Sequence, residues 1–409
     1  MRALSFITFS PELAVFREDK RRGRRAGQGI LPDLSTAARK RYLDSLRIGI
    51  AGMMKQQVRA TLAIVASAAL LPALSPRREI ASRMIPTDNA FTSAAHESPT
   101  RRLMLTRQIT DARAWTADTV GEQRPWRVPL DTHCLDELTQ PAADPLPPVR
   151  DGKLPSCRTL MAGVAEELEH GRGFVLIDRL PLESLSAHSA RRAYWRLGQL
   201  LGPPFAQDVK GTLLFDVRDT GRAVSEGARF SVTNAESSFH TDGAFNPAVP
   251  DYVALLCVRA AQSGGVSQLV SACAIHNRLL DADPEALALL YEPFCFDRRS
   301  EFIKGEKPYT ETPIFQWRDR QLVHRYLRHY VEVGQEKAGQ PLRPAQVAAL
   351  DIIETLVTDP AHQAEFAMAP GQMLFTNNRW ILHNRTAFVD WPEPGRRRHY
   401  VRLWLTNRG

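Results

Sequence analysis

The chain has few cysteines, and none of them has the spacing of a metal-binding or redox pair. There is no Cys-x-x-Cys motif and the total of five is odd, so neither a zinc ribbon nor a disulfide-stapled scaffold is expected. Sparse cysteines without paired spacing are typical of a protein in a reducing cytoplasm, which is the location we predict. The five residues are Cys134, Cys157, Cys257, Cys273 and Cys295.

The sequence also lacks an apolar run that is long enough for a confident transmembrane helix. The candidate segment, Leu62–Leu74, falls short of the roughly 20 residues that cross a bilayer. It resembles the core of a signal peptide, and a signal or membrane anchor is the alternative interpretation, but it lies far from Met1. We predict that residues 1–103 form a weakly ordered basic extension, with Met84 and Met104 as alternative starts, and that the protein has no membrane partner.

Positive charge is in excess, with a formal net charge of +8, but much of it lies near the N-terminus. Between Arg17 and Arg47 there are ten Lys or Arg residues against four Asp or Glu residues. Because no nucleic-acid-binding motif accompanies this basic stretch, we predict no nucleic-acid partner. The apolar content of 44% and the charged content of 24% indicate an ordinary globular enzyme, and we place its domain at residues 104–409.

Helical and strand patterns alternate along the predicted domain, without an internal repeat or a low-complexity linker. The segment from about 276 to 366 is longer and more helical than the rest, and we interpret it as an insertion or lid between two halves of a β core. Predicted helices are 160–170, 188–201, 284–290 and 344–357, and predicted strands are 173–178, 252–258, 266–270, 372–376 and 400–406.

The most informative motif is His240-Thr241-Asp242. If these residues form a strand, the imidazole and the carboxylate point to the same face, because side chains alternate along a strand. Two His and one carboxylate, with open coordination positions, are the ligand set of non-haem Fe(II) oxygenases. The pair alone is weak evidence, since a surface turn can also carry a His and an Asp. A third ligand on a later strand is needed, and His383 is the best candidate.

The last predicted strand places two cations on one of its faces. The residues on that face, separated by even numbers of positions, are Arg398, Tyr400, Arg402 and Trp404. Guanidinium groups that face the interior of a β core are costly unless an anion meets them. A dicarboxylate co-substrate, held by bidentate pairing, is such an anion. The opposite, apolar face consists of Val401, Leu403 and Leu405.

Four separated elements therefore occur in order along the chain: His240-x-Asp242, Gly264-Gly265-x-Ser267, His383 and Arg397–Arg402. This pattern resembles the taurine dioxygenase and clavaminate synthase-like family of Fe(II)- and 2-oxoglutarate-dependent oxygenases. The resemblance spans about residues 105–409. It implies a mainly β fold with flanking helices, built on a double-stranded β-helix (jelly-roll) core with a helical insertion. It also implies Fe(II) as cofactor, 2-oxoglutarate and O₂ as co-substrates, and a small-molecule substrate.

The resemblance implies that His240, Asp242 and His383 are the catalytic iron ligands. Three protein ligands leave three positions on an octahedral iron for a chelating keto acid and O₂. Related halogenases lack a carboxylate at the position of Asp242, so oxygen transfer is expected here. The expected reaction is hydroxylation or desaturation of an unactivated C–H bond in a small anionic or amino-acid-like metabolite, with release of succinate and CO₂.

The resemblance also assigns the positions that bind co-substrate and substrate. Arg398 corresponds to the residue that pairs with the distal carboxylate of 2-oxoglutarate, and Ser267 replaces a threonine that hydrogen-bonds the same group. Arg402 corresponds to a position that meets the substrate's anionic group in some members, although it can instead pair with an internal acid. The stretch before Arg398 is a few residues longer than in the taurine enzyme, so Arg396 and Arg397 stay alternatives to Arg398.

Two other functions stay open at the level of the sequence. The chain can be a jelly-roll binding protein that has lost turnover, which a measurement of succinate release would distinguish. It can also be a Zn(II) hydrolase, although such an enzyme does not need two buried arginines at this spacing. The residues do not specify the substrate, the carbon attacked or the oligomeric state, and a homo-oligomer is compatible with them.

Overall fold

The computed structural model describes residues 104–121, 126–140, 153–222, 230–299 and 301–407. The predicted extension 1–103, including Leu62–Leu74, lies outside these ranges and stays a prediction. Within the described ranges, no helix is both long enough and apolar enough to span a membrane.

The described part of the chain contains seven α-helices and sixteen β-strands, together with three short 3-10 helices. The helices are α1 (Thr132–Thr139), α2 (Pro155–Glu169), α3 (Ala187–Gly198), α4 (Ala272–Ala282), α5 (Pro284–Leu290), α6 (Arg328–Lys337) and α7 (Pro344–Thr358). The strands are β1 (Arg127–Pro129), β2 (Phe174–Asp178), β3 (Pro204–Phe205), β4 (Leu214–Val217), β5 (Tyr252–Arg259), β6 (Ser263–Gly264), β7 (Ser267–Ser271), β8 (Pro293–Asp297), β9 (Tyr309–Pro313), β10 (Phe315–Arg318), β11 (Gln321–His324), β12 (Gln363–Phe366), β13 (Met373–Asn377), β14 (Ile381–Arg385), β15 (Phe388–Val389) and β16 (His399–Leu405). The four helices and five strands whose ranges are predicted from the sequence are confirmed, with small shifts at their ends.

Several helices begin where a side chain or a proline relieves the unpaired N–H groups of the first turn. The hydroxyls of Ser186 and Ser271 each accept a hydrogen bond from the backbone N–H three residues later, at the starts of α3 and α4. Pro284 and Pro344 begin α5 and α7. Proline has no N–H, and at this position an N–H would have no acceptor within the helix, so no hydrogen bond is lost. These local signals explain why the helix positions can be predicted from sequence.

The larger sheet has the strand order β1-β2-β13-β5-β16-β3, and β4 also pairs with β16. Its pairs are antiparallel except that of β1 with β2. Along β16, Val401, Leu403 and Leu405 pack into a core that α2 and α3 complete. Arg398 and Arg402 are buried on the opposite face. The predicted two-faced character of this strand is confirmed.

A second, three-stranded antiparallel sheet has the order β12-β7-β14. His383 is the central residue of β14, although the sequence predicts a strand and a turn before it. Two backbone hydrogen bonds join His383 to His240, with N···O distances of 2.9 and 3.1 Å. The first motif is therefore attached to this sheet through the predicted third ligand.

The segment 276–366 contains most of α4, all of α5, α6 and α7, and two antiparallel strand pairs, β8–β9 and β10–β11. The sequence does not predict these four strands, because they are short and lack strict alternation of apolar and polar residues. Leu327 and Tyr330 bring the segment to the wall of a cavity that also contains His240. Its action as a lid stays a prediction.

One disulfide departs from the sequence-based expectation. Cys134 in α1 and Cys157 in α2 form a buried pair with Cα atoms 4.8 Å apart. The two cysteines are 23 positions apart, so no short motif marks them. Because disulfides are rare in a reducing cytoplasm, this pair does not support the predicted location. The free, buried cysteines are Cys257, Cys273 and Cys295.

Candidate metal centre

The three predicted ligands converge on one point. His240 Nε2 lies 3.7 Å from Asp242 Oδ1, and His383 Nε2 lies 3.9 Å from the same oxygen. One donor atom from each residue lies within 4.8 Å of the other two. Among the described residues, no other group of three or more His, Cys, Asp or Glu side chains brings its donor atoms together in this way. Two imidazoles and one carboxylate on one side of a cavity suit a metal that keeps open positions.

The His240-Thr241-Asp242 segment is not the regular strand that the sequence predicts. His240 forms an isolated bridge with His383, and Asp242 already belongs to a turn. The N–H of Asp242 donates to the side-chain oxygen of Asn378 at 2.8 Å, and the Asn378 amide donates back to the Asp242 carbonyl at 2.9 Å. The predicted strand geometry is therefore wrong, because a side chain and not a strand partner holds Asp242.

The histidines present their Nε2 atoms to the centre. His240 Nδ1 lies 2.7 Å from the carbonyl oxygen of Ser238, which can only accept, so in the neutral ring Nδ1 carries the proton and Nε2 the lone pair. Burial and, to a smaller extent, the neighbouring His240 together lower the pKa of His383 to about 3. His383 is therefore neutral at physiological pH, which is the form that binds a metal.

The carboxylate of Asp242 is buried and has donors on both oxygens. Arg402 Nη1 donates to Oδ1 at 3.0 Å, and the indole N–H of Trp404 donates to Oδ2 at 2.8 Å. Burial opposes ionisation, but Arg402 and the two histidines hold the pKa of Asp242 well below its ordinary value. The site therefore contains a fixed negative charge that suits a divalent cation.

A cavity of about 510 Å³ extends from the three ligands to Arg398. Arg398 is only 5% exposed, and its Nε has no hydrogen-bond partner within the described residues. Burial lowers the pKa of this guanidinium. A buried N–H of a cation without an acceptor costs free energy, so an anion in this cavity would relieve the cost. The other lining residues are Val217, Phe230, Ser231, Ser237, Val253, Leu255, Arg385 and Arg402.

The structure distinguishes Arg398 from its two neighbours. Arg396 is exposed and lies 3.5 Å over the ring of Trp391. Arg397 is also exposed and donates to the carbonyl of Pro392. Of the three arginines, Arg398 is the one whose side chain is buried in the cavity with the predicted metal ligands.

The Gly-Gly-x-Ser element lies beside Arg398, and the residue of the element that approaches Arg398 is Gly265 and not Ser267. A Cβ added to Gly265 would lie 3.4 Å from Arg398 Nε, and the φ angle of +68° already disfavours any other residue there. Ser267 is buried in β7, opposite Phe366 and Arg385. It is not among the described residues that line the cavity, so its contact with 2-oxoglutarate stays a prediction.

Arg402 lines both this cavity and a second one, and its side chain already has hydrogen-bond partners. Besides its bond to Asp242, its Nε donates to Gln207 Oε1 at 2.8 Å. The Gln207 amide donates back to the Arg402 carbonyl at 3.0 Å. The alternative that the sequence leaves open, pairing with an internal acid, is therefore seen, and contact with a substrate stays a proposal.

The second cavity, of about 480 Å³, also reaches His240 and Asp242, shares Phe230, Ser231 and Arg402 with the first, and has an aromatic wall. Phe245 and Tyr330 meet edge to face with ring centroids 5.4 Å apart. Apart from Asp242 itself, the described residues that line it include no carboxylate. The remaining lining residues are Thr241, Gly243, Ala244, Leu327 and Trp404.

Sequence reasoning misses several residues that shape the site. Trp404 is on the predicted cation-bearing face, but nothing in the sequence identifies its partner. Gln207 lies in a segment without a local signal. Arg385 donates to four backbone carbonyls between 230 and 235, the shortest at 2.6 Å from Ala235. It thereby holds the segment that contributes Phe230 to both cavities.

Comparison with known proteins decides the family. Residues 142–404, well over half of the chain, match the family described as taurine catabolism dioxygenase TauD, TfdA family. The chain belongs to this family. Relatives include FR-33289 synthase of Streptomyces rubellomurinus (strain ATCC 31215), 30% identical over 322 residues that cover 74% of this chain and 91% of the relative. A uridine-5′-phosphate dioxygenase of an Amycolatopsis species is 33% identical over 174 residues, which cover 42% of this chain and 61% of the relative.

Solved structures of iron oxygenases share the fold. An asparagine oxygenase in complex with Fe(II), 2S,3S-3-hydroxyasparagine and succinate superposes with a TM-score of 0.53 at 19% identity, covering 69% of this chain and 94% of that one. The non-haem iron oxygenase OrfP with Fe and alpha-ketoglutaric acid gives 0.52 at 16% identity, with coverages of 68% and 94%. This TauD/TfdA-family protein is thus a 2-oxoglutarate-dependent dioxygenase that uses Fe(II) and O₂. The Zn(II) hydrolase and the silent binding protein are set aside.

Proposed function

We propose that His240, Asp242 and His383 bind the Fe(II), and that Arg398 binds the distal carboxylate of 2-oxoglutarate on a double-stranded β-helix core. Bound iron supplies the activation of O₂, coupled to the conversion of 2-oxoglutarate into succinate and CO₂. The observation that carries the proposal is the buried Arg398, whose Nε lacks an acceptor within the described residues, in the cavity that reaches all three ligands.

Residues of the protein are suited to binding both ends of the co-substrate, at the metal ligands and at Arg398. Asp242 is held ionised and His383 neutral, so these two ligands need no proton transfer before a metal binds. Val253 and Leu255 form apolar walls of the cavity that leads to Arg398. In such surroundings a charge-assisted pair between Arg398 and a carboxylate is stronger than in water.

The substrate is proposed to occupy the second cavity, where a C–H bond would be hydroxylated or desaturated. Arg402 is the cation of its wall, which favours an anionic group. An amino acid would need an acceptor for its ammonium group, and the described wall has no carboxylate besides Asp242. We therefore favour an anionic metabolite without an amino group. Phosphate-bearing molecules come first because relatives are uridine-5′-phosphate dioxygenases.

Anaerobic titration with Fe(II) and 2-oxoglutarate tests the assignment of the co-substrate site. The wild-type protein should develop the weak visible charge-transfer band of a chelated keto acid. Arg398→Gln should weaken 2-oxoglutarate binding by at least about 100-fold, because it removes one partner of a buried ion pair. Arg397→Gln is the matched control and should bind like wild type. A wild-type protein without the band, or equal effects of the two variants, would contradict the proposal.

A panel of candidate substrates tests the substrate class. Succinate release above the level without substrate should occur with phosphate- or carboxylate-bearing molecules that lack an amino group. Free amino acids should give the lower, substrate-independent level. Stimulation by amino acids alone would reverse the assignment and leave the iron and 2-oxoglutarate sites untouched.

A further inference from the structure

The two oxygens of Asp242 have different surroundings. Oδ1 faces the two imidazoles at 3.7 and 3.9 Å and accepts a bond from Arg402. Oδ2 accepts the indole N–H of Trp404 at 2.8 Å. The carboxylate therefore has an inner oxygen that points to the metal position and an outer oxygen with its own donor.

We propose that Trp404 is a positioning residue that holds Asp242 as a one-oxygen ligand. This inference rests on the proposed iron site. A carboxylate can bind a metal through one or both oxygens, and the second mode occupies an additional position. Since the keto acid needs two positions and O₂ one, a carboxylate that uses both oxygens would compete with them. A donor committed to Oδ2 opposes that change.

The structure fixes the direction of this donor. Trp404 is 2% exposed and lies on β16, where its backbone is paired with Val253 on one side and Phe205 on the other. Its ring packs on Phe205 with centroids 6.2 Å apart. On another side lies Gly243, where an added Cβ would be 3.4 Å from the Trp404 ring. The indole cannot swing away without disturbing the sheet or the turn that follows Asp242.

The donor type also suits the role. An indole N–H donates only and does not titrate, so the bond to Asp242 keeps its polarity at any pH at which the protein is folded. The contact does not add a positive charge to the site, unlike that of Arg402. Hydrogen bonds to ligating carboxylates commonly tune metal sites, and their loss typically costs 10–100-fold in metal affinity or activity.

The test compares two tryptophan-to-phenylalanine variants. Trp404→Phe removes the N–H donor, whereas Trp380→Phe makes the same change at a fully buried residue whose N–H has no hydrogen-bond partner in the described structure. Anaerobic dialysis gives the Kd for Fe(II), titration of the visible band gives that for 2-oxoglutarate, and thermal unfolding reports stability. Trp404→Phe should weaken Fe(II) binding by about tenfold or more and alter the band. Trp380→Phe should lower stability alone.

The outcomes separate this inference from the proposed function. If the wild-type protein binds Fe(II) and 2-oxoglutarate but Trp404→Phe behaves like Trp380→Phe, Trp404 has a packing role and the inference is overturned. If the wild type binds neither, the iron site itself is wrong. Should Trp404→Phe fail to fold, site-specific replacement of Trp404 by 3-benzothienylalanine exchanges N–H for sulfur at nearly constant shape. That variant must reproduce the weaker Fe(II) binding, and wild-type affinity would overturn the inference.

Discussion

Two pairs of histidines in this protein lie in different surroundings, and the first pair is partly exposed whereas the second is fully buried. His240 and His383 lie with ring centroids 4.3 Å apart beside the carboxylate of Asp242, and both line a cavity. His276 and His324 both pack against Phe315, with ring-centroid distances of 5.5 and 4.5 Å. Their cluster is aromatic, with Tyr291 and Tyr326 beside the rings.

Burial acts in the same direction on His383, His276 and His324. It lowers the pKa of His383 to about 3, that of His276 to about 4 and that of His324 to about 3. A strongly lowered histidine pKa therefore does not mark a functional site by itself. The distinguishing features are the ionised carboxylate of Asp242, which compensates a bound cation, and open space in which a ligand fits.

Alanine substitution of one histidine in each pair tests this comparison and should give the largest difference. His240→Ala should weaken Fe(II) binding by more than about 100-fold. The loss of a residue that merely hydrogen-bonds a metal-coordinating side chain already lowers metal affinity 10–100-fold. His276→Ala should leave Fe(II) affinity unchanged and lower thermal stability, because it opens space among buried aromatic rings. Dialysis and thermal unfolding of the two variants measure both quantities. Equal loss of Fe(II) affinity in both would break the comparison.

The next effect concerns stability at acid pH and the buried histidines His276 and His324. An unfolded histidine has a pKa of about 6.5, whereas His276 and His324 have pKa values of about 4 and about 3 in the folded state. Below pH 6.5 the two histidines therefore bind protons in the unfolded chain but stay neutral in the folded chain. Their contribution to the free energy of unfolding is fully present above that pH and is lost as the pH falls. At pH 5 the loss is on the order of 2 kcal/mol for each histidine.

Urea unfolding at pH 7.5 and 5.0 measures this dependence. His324→Phe places an apolar ring among the aromatic neighbours of His324, and the variant should lose less unfolding free energy than wild type between the two pH values. His133→Gln removes an exposed histidine and should follow the wild-type curve. Parallel pH curves for wild type and His324→Phe would show that this buried ring does not govern acid stability.

The convergence of His240, Asp242 and His383 could be predicted from the order of the motifs along the chain, although Asp242 lies in a turn and not in a strand. The two-faced pattern of β16 indicates which side chains share a face, and this places Arg398 and Arg402 correctly. The identity of their partners could not be predicted. The bonds from Trp404 to Asp242 and from Arg402 to Gln207 join residues 162 and 195 positions apart, and no local pattern encodes them.

Contacts between residues that are distant in sequence also explain where the sequence-based predictions fail. The geometry of the His240–Asp242 segment is set by Asn378, 136 residues after Asp242 in the chain, so local alternation predicts a strand that tertiary contacts replace by a turn. The disulfide joins two helices whose packing brings Cys134 and Cys157 together. Local propensity describes elements well, whereas contacts between elements decide the details of a site.

The smallest expected effect concerns Ser267, whose role comes from family resemblance alone. If its hydroxyl donates to the distal carboxylate of 2-oxoglutarate, Ser267→Ala should weaken binding by about tenfold, the contribution of one hydrogen bond to a charged group. Ser271→Ala is the control on the same strand. Its hydroxyl accepts from Ala274 N–H at the start of α4, so the change should lower stability by about 1 kcal/mol and leave 2-oxoglutarate affinity unchanged. Titration of the charge-transfer band measures both affinities. Wild-type affinity in Ser267→Ala would leave Arg398 as the anchor of the carboxylate and would assign Ser267 to the packing of β7, in agreement with its place outside the described cavity wall.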